Sequence, residues 1–143
     1  MLIGEYAHNI DAKGRLIIPA KFRDELGFKM IVTRGLDGCL CVYTLEQWKL
    51  LYEQLMKLPT TKKEARMYVR MVTSKAAECE LDAQGRISLP QTLIQLADLK
   101  KECVISGTGN RVEIWSKDRW NAVNEDNAES FEDMAESLTE FFL

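Results

Sequence analysis

Short runs of apolar and β-branched residues recur along the chain, separated by turns that contain glycine. Around "DAKGR" (residues 11–15), the runs "EYAHNI" and "RLIIP" predict two strands joined as a hairpin. The stretch "AKFRDELG" after Pro19 predicts a short helix that ends at Gly27. The runs "KMIVTR" and "CLCVY", with "GLDG" between them, predict two more strands. The predicted order is therefore β-turn-β-α-β-β.

The same pattern occurs a second time. "DAQGR" begins 71 positions after "DAKGR" and is followed by "RISLP", "QTLIQLADL", "ECVIS", "GTGN" and "RVEIW". The offset becomes 72 after one inserted residue and then aligns Trp48 with Trp120. Four strands and one short helix enclose little core alone, so we expect two copies to pack into one α+β fold. That fold would be barrel-like, with pseudo-two-fold symmetry and interleaved hairpins.

Two longer helices are predicted outside the strand pattern. Capping boxes at Thr44–Gln47 and Thr61–Glu64 precede "LEQWKLLYEQLMKL" and "KKEARMYVRMVTSKA". The second of these helices would bridge the copies. The predicted organisation is a first repeat with its helix, a bridging helix, a second repeat and an acidic tail, at residues 1–59, 60–76, 77–120 and 121–143.

Charge is distributed unevenly along the chain. The net charge is −3, but residues 121–143 carry seven acids and no Lys or Arg. Residues 1–120 hold 19 bases against 15 acids, a net of +4. A basic body with an acidic tail is compatible with a polyanionic partner. No stretch approaches the roughly 18 apolar residues that span a bilayer, and we expect an intracellular, cytoplasmic protein without a membrane partner.

Few residues offer catalytic or metal-binding chemistry. Cys39, Cys41, Cys79 and Cys103 are expected to be reduced, half-buried thiols, and a zinc site is not expected beside the lone His8. The sequence contains no GxSxG, HExxH or P-loop motif. It therefore predicts no enzymatic activity, no cofactor and no small-molecule substrate.

Each pentapeptide contains a glycine suited to positive φ and an aspartate suited to accepting bonds from turn amides. Each also holds an arginine next to that aspartate; the residues are Asp11, Gly14, Arg15 and Asp82, Gly85, Arg86. A single such turn is most simply structural. An arginine fork, however, pairs bidentately with phosphate or with the O6/N7 edge of guanine.

The bases that accompany the arginines differ between the copies. Lys13 lies in the first turn, and Lys21 and Arg23 lie on the helix that follows it. The corresponding residues of the second copy are Gln84, Thr92 and Ile94. The sequence therefore predicts that the first copy contributes more of any affinity for a polyanion.

Both motifs, together with "GEYAHNID" and "LIIPAKFRDEL", closely resemble the MraZ family of bacterial transcriptional regulators over residues 1 to about 120. The resemblance implies two AbrB-like (SpoVT/AbrB) domains in a swapped-hairpin or double-split β-barrel, and ring-shaped homo-oligomers. It also implies nucleoid-associated binding to double-stranded DNA, at short G-rich repeats upstream of the protein's own gene. The family commonly represses its division and cell-wall gene cluster. The DNA-binding residues implied are Lys13, Gly14, Arg15, Lys21, Arg23, Gln84, Gly85 and Arg86, with Asp11 and Asp82 in support.

An alternative is a protein-interaction or assembly module. The first long helix places Trp48, Leu51, Tyr52 and Leu55 where their apolar side chains would meet a partner. Such side chains are more often part of a core or an oligomer interface.

Overall fold

The computed structural model describes residues 1–127 and 130–142, which follow the repeated element order. The first repeat comprises β1 (Leu2–Asn9), β2 (Arg15–Ile17), α1 (Ala20–Leu26), β3 (Lys29–Arg34), β4 (Leu40–Thr44) and α2 (Leu45–Met56). A connecting helix, α3 (Lys63–Lys75), leads to the second repeat. This comprises β5 (Ala77–Glu80), β6 (Arg86–Ser88), α4 (Gln91–Leu96), β7 (Glu102–Gly109), β8 (Val112–Ser116) and α5 (Lys117–Asn127). Helix α6 (Phe131–Ser137) and a 3₁₀ turn (Thr139–Phe142) follow. The predicted α+β class and duplicated unit are confirmed.

Both sheets combine strands of the two repeats. The larger one has the antiparallel order β1-β7-β8-β4-β3-β5, and the smaller one pairs β2 with β6. Strands β4 and β8 lie at the centre, each next to its own hairpin partner, β3 or β7. The outer strands are exchanged, since β1 pairs with β7 of the second repeat and β5 pairs with β3 of the first. The order of the strands is thus pseudo-two-fold symmetric about the centre of the sheet.

The hairpins predicted around the two motifs are wrong in their pairing. Strand β1 has 8 residues and β2 has 3, so β2 would leave most of the β1 backbone unpaired. Strand β7, also of 8 residues, pairs with β1 along its whole length. Among the described residues, β1 and β5 remain the edges of the larger sheet, and the ladders close no barrel.

The main core fills the space between the six-stranded sheet and the elements β2, β6, α1 and α4. Phe22 on α1 and Leu93 on α4 occupy equivalent positions in the two repeats, and each is 0% exposed. Full burial of such a side chain contributes about 1.5–3 kcal/mol to stability. The repeats therefore share one core.

Alternate residues of β4 and β8 face a second cluster on the other side of the sheet. Trp115 contacts Trp120 of α5 edge-on, with ring centroids 5.7 Å apart, and Val123 of the same helix packs beside them. Helix α5 thereby covers this face, and the start of the acidic tail belongs to the folded body.

All four cysteines are buried rather than half-buried, and all are free. Burial raises the pKa of the Cys79 and Cys103 thiols to about 11. The Cys41 pKa is instead lowered to about 7, chiefly because the Cys39 thiol hydrogen-bonds to its sulfur. Cys39 and Cys41 both belong to the second apolar cluster and therefore lie on the same side of the sheet.

Helix ends agree with the sequence signals in two of three places. The Thr44 side chain accepts a bond from Gln47 N at 2.9 Å, as its capping box predicts. Gly27, with φ of 82°, ends α1. The capping box predicted at Thr61–Glu64 is wrong, because the residue at the N-cap of α3 is Lys62 and no side chain caps the first turn of this helix. No helix in the described parts of the chain combines the length and apolar character needed to cross a membrane.

Candidate nucleic-acid interface

The first DxxGR turn is held together by one carboxylate. Asp11 Oδ1 accepts bonds from the backbone amides of Lys13, at 3.0 Å, and Arg15, at 2.8 Å. Its Oδ2 accepts a bond from Arg15 Nε at 2.7 Å. Gly14, with φ of 80°, makes the turn possible, because a residue with a side chain rarely adopts this conformation. The turn thus fixes the arginine by its Nε atom.

The second turn repeats this geometry. Asp82 Oδ1 accepts bonds from the amides of Gln84 and Arg86, both at 2.9 Å, and Oδ2 accepts Arg86 Nε at 2.8 Å. Gly85 has φ of 75°. One contact is added, since Arg86 Nη2 donates to Gln84 Oε1 at 3.2 Å. The second arginine is therefore held at two points.

These bonds keep both carboxylates ionised. The pKa of Asp11 lies below its ordinary value, mainly because the Arg15 amide donates to the charged form, with a further contribution from the Arg15 guanidinium. The pKa of Asp82 is lowered in the same way by the amide and guanidinium of Arg86. Both turns therefore stay organised at neutral pH.

The small sheet brings the two arginines onto one surface. Arg15 lies opposite Ser88 and Arg86 opposite Ile17 in the β2–β6 ladder. The intervening residues are buried in the core, so the arginines point to the other face. Diagonal neighbours in an antiparallel pair are separated by roughly 7–8 Å. The two arginines are thus one such step apart, although 71 residues separate them in sequence.

Each turn is also held by the strand of the other repeat. Ile18 N donates to Gly85 O, and Leu89 N donates to Gly14 O, both at 2.9 Å. The symmetric pair of bonds fixes the two turns relative to each other. The interface is therefore built jointly and cannot be assigned to one repeat.

The expected grouping of Arg23 with the first motif is wrong. Its guanidinium lies against Gly85 of the second turn, where a Cβ atom at residue 85 would be, and its Nε donates to Ile18 O at 2.7 Å. The equivalent residue of the second repeat, Ile94, lies against Gly14 of the first turn instead. Each helix therefore covers the turn of the other repeat.

The remaining site residues lie as follows. Lys13 and Lys21 are exposed, and so is Gln84. The side chains of Arg15 and Arg86 are 32% and 24% exposed, so each guanidinium is partly accessible and partly supported. Only Lys13 remains as a base that distinguishes the first turn itself.

The sequence did not indicate Ser88 and Ile17, which share the outward face of the small sheet with the two arginines. Ser88 is exposed opposite Arg15, and Ile17 is half-buried opposite Arg86. The alternation of Arg86, Ile87 and Ser88 is the signal for the serine, because residues two apart in a strand share a face.

The apolar residues of α2 are divided between the core and the surface. Leu55 is buried at 4% exposure, Trp48 and Leu51 are half-buried, and Tyr52 is 44% exposed. Other large apolar side chains are exposed on α2 and α3, namely Leu45, Leu50, Met56, Met67, Tyr68 and Met71. These two helices therefore present an apolar surface separate from the turns.

Comparison with known proteins agrees with this duplicated architecture. A family profile described as "MraZ protein, putative antitoxin-like" matches the chain twice, at residues 1–71 and 72–142. The chain belongs to the MraZ family. Its relatives include a protein named "Transcriptional regulator MraZ" from Ligilactobacillus salivarius, 55% identical over 143 residues and the full length of both chains. A protein of the same name from Limosilactobacillus reuteri is 55% identical over 96% of this chain and 97% of its own.

The two MraZ matches begin 71 residues apart, at residues 1 and 72, which is the offset between the DxxGR motifs. Each match therefore contains one turn. The boundary between them falls inside α3, the helix that connects the repeats.

Proposed function

We propose that this protein is a DNA-binding regulator of transcription, and that the paired DxxGR turns are its DNA-binding surface. The observation that carries the proposal is the convergence of Arg15 and Arg86 on one face of the β2–β6 sheet. The names of its relatives, which are transcriptional regulators, support it independently. The swapped-hairpin, double-split form of the fold and the division at residues 59, 76 and 120 belong to the same proposal. The exchange of β1 and β5 between the repeats supports the swapped-hairpin form of the fold.

Sequence-specific binding would come from the arginine forks. Because Nε of each arginine is bound to an aspartate, contact with a base would fall to the two terminal nitrogens. Nη2 of Arg86 also donates one N–H group to Gln84 Oε1, which leaves it a second N–H group for the base. Two terminal nitrogens suffice for a bidentate contact with guanine O6 and N7, which contributes about 1–3 kcal/mol of discrimination. An arginine held in place loses less conformational entropy when it binds. This chemistry favours short G-rich repeats, which we place upstream of the protein's own gene.

In more detail, we propose that the protein represses a cluster of division and cell-wall genes. Occupation of repeats upstream of the first gene would exclude the transcription machinery, and the protein would then be associated with the nucleoid. Lys13 and Lys21 are exposed and would add phosphate contacts. Exposed acids such as Glu132, Asp133 and Glu136 occupy α6 at the other end of the chain, and they would have to point away from the DNA.

Assembly into a homo-oligomeric ring would raise the affinity for DNA above that of a single subunit. The exposed apolar side chains of α2 and α3 support self-association, since large exposed apolar patches mark interaction sites. Several subunits bound to successive repeats would gain avidity through effective concentration. Tyr52→Glu or Met71→Glu should then reduce the mass measured by light scattering, and an unchanged mass would remove these helices from the subunit contact.

The experiment that tests the DNA-binding surface measures affinity for the upstream DNA across a salt series. Arg15→Ala with Arg86→Ala should abolish specific binding, whereas Lys117→Ala, which removes an exposed base from the start of α5, should bind as the wild type does. Arg86→Lys keeps the charge but not the fork. It should therefore lose sequence discrimination and keep the salt dependence. Wild-type affinity and salt slope in the double variant would refute the arginine mechanism.

A further inference from the structure

Three potential metal ligands meet on the face of the large sheet that faces the second apolar cluster. Cys39 directly precedes β4, Cys41 is the second residue of β4, and both face this side of the sheet. Glu113 of β8 lies directly opposite Cys41 in the β4–β8 ladder. The two sulfur atoms and a carboxylate oxygen all lie within 4.8 Å of one another. The first repeat thus supplies two donors and the second repeat supplies one.

The fold leaves room for both sulfurs at this point. Gly35 lies beside them, and a Cβ atom there would come within 2.6 Å of Cys41 Sγ and 3.0 Å of Cys39 Sγ. The backbone of Gly35 also donates to Cys39 O at 2.8 Å, which fixes the loop before β4. A larger residue at position 35 would displace the sulfurs. The absence of a side chain therefore serves the arrangement of the two thiols.

The carboxylate is already oriented by outer contacts. Glu113 Oε1 accepts a bond from Trp115 Nε1 at 3.1 Å, and Oε2 accepts one from Arg111 Nη2 at 3.3 Å. Carboxylates that bind metals are typically held by hydrogen bonds of this kind. The contacts would keep the group in place whether or not an ion is present.

Charge balance also permits a divalent ion. Without an ion, the Glu113 carboxylate and the Arg111 guanidinium neutralise each other. A divalent ion that binds both sulfurs as thiolates forms two metal–sulfur bonds and releases two thiol protons to solvent. The net charge of the cluster stays the same, so no uncompensated charge is buried. The ion, the two thiolates and the Glu113 carboxylate together carry one negative charge, and the Arg111 guanidinium balances it.

An entry path exists as well. Cys39 and Cys41 line a cavity of about 480 Å³, together with Tyr43 and Arg111. Three protein ligands and a cavity leave a fourth position for water, which is an arrangement that tetrahedral zinc accepts. Sulfur donors favour thiophilic ions over Mg²⁺ or Ca²⁺.

We propose that Cys39, Cys41 and Glu113 bind one thiophilic divalent cation of the zinc type, which links the first repeat to the second. Neither the family match nor the names of the relatives assigns such a site. Because Cys41 and Glu113 face each other on adjacent central strands and Cys39 directly precedes β4, the bound ion would stabilise the pairing of β4 with β8.

The test is a titration of the reduced, chelator-treated full-length protein with Co²⁺ and then Zn²⁺. Co²⁺ should bind at one equivalent per chain with a thiolate-to-cobalt charge-transfer band, and Zn²⁺ should displace it. Cys39→Ala with Cys41→Ala should abolish the band. The matched control, Cys79→Ala with Cys103→Ala, removes two other buried thiols and should retain it.

The carboxylate is tested separately with Glu113→Gln. Loss of a residue that hydrogen-bonds to a metal ligand typically weakens metal binding by about 10- to 100-fold. Loss of the Glu113 ligand itself should weaken Zn²⁺ binding by at least as much. Zn²⁺ should also raise the melting temperature of the wild type and of the Cys79/Cys103 control, but not of the Cys39/Cys41 variant. No charge-transfer band in the wild type, a band that survives loss of Cys39 and Cys41, or unchanged affinity in Glu113→Gln would each overturn the site.

Discussion

The two DxxGR turns have the same backbone but different surroundings. The first turn has exposed Lys13 at the position where the second has Gln84, and Gln84 binds Arg86. The first is covered by the apolar side chain of Ile94, whereas the second is covered by the guanidinium of Arg23. Each turn therefore has a basic neighbour, one from its own repeat and one from the other.

This difference shows how a duplicated chain distributes its charges. Along the sequence, the bases Lys13, Lys21 and Arg23 all belong to the first copy, which predicts an unequal pair of turns. In space, the crossing of the repeats transfers Arg23 to the second turn. The interface is therefore more even than the sequence indicates, and both arginines are expected to contribute to binding.

The largest expected effect concerns the shared core. Phe22→Ala should lower the free energy of unfolding by about 3–5 kcal/mol and Leu93→Ala by about 2–5 kcal/mol, measured by urea denaturation. The edge-on contact of Phe22 with Tyr6, at 5.3 Å between centroids, should make the loss in the first repeat the larger one. Phe28→Ala, at a side chain that is 59% exposed, should stay within about 0.5 kcal/mol of the wild type. A small loss at Leu93 would mean that the repeats do not share one core.

The crossing of the repeats predicts a coupling between Arg23 and Gly85. Gly85→Ala should destabilise the protein by about 1–3 kcal/mol, because alanine is strained at φ of 75° and its Cβ displaces the Arg23 guanidinium. Prior removal of the guanidinium by Arg23→Ala should reduce that cost by at least about 0.5 kcal/mol. The double-mutant cycle of Arg23 with Gly14 is the control and should be additive. If Arg23 were coupled energetically to Gly14 and not to Gly85, we would conclude that Arg23 supports the first turn rather than the second.

A charge exchange between the turns should have a smaller effect on DNA binding. Lys13→Gln should lower the magnitude of the salt slope by about 0.9 for each subunit bound to the DNA, the value for one phosphate contact, and Gln84→Lys should raise it by a similar amount. Combining the two changes should restore the wild-type slope. A slope that responds at Gln84 but not at Lys13 would show that only the second turn approaches the phosphates.

The smallest difference is expected in the pH response of the turns. The folded-state pKa values of Asp11 and Asp82 both lie below the ordinary value of 3.8. The stability that these carboxylates contribute is therefore present above that value and is lost as pH falls through the lowered pKa. NMR titration of the side-chain carboxyls should find both below 3.8 and close to each other. A value at or above 3.8 for either aspartate would contradict the bonding of its turn.

Much of the fold could be predicted from local signals. Apolar alternation, glycine turns and the 71-residue repeat identify the strands and most helix ends. Strand pairing could not be predicted, because the hairpin signal is local and the exchange of β1 and β5 depends on strand length and on the other repeat. The absence of a cap at Thr61 likewise depends on where the chain enters α3.

The two turns of the candidate site were predictable, and their relation to each other was not. A DxxGR sequence specifies its own aspartate–arginine bonds, and these are found in both copies. Only the β2–β6 ladder puts the arginines on one face, and only the crossing places Arg23 over Gly85. The proximity of Glu113 to the CxC pair likewise follows from β4–β8 pairing across 72 residues, which no local motif indicates.

The exchanged outer strand also affects the order of events during synthesis. Strand β1 ends at residue 9, but its partner β7 spans Glu102–Gly109, in a chain of 143 residues. Long-range pairing of this kind slows folding and leaves strand edges open to other chains meanwhile. Strand β1 must therefore wait until β7 has left the ribosome. Until then, the β7 strand of a neighbouring nascent chain on the same messenger RNA would offer β1 a compatible partner.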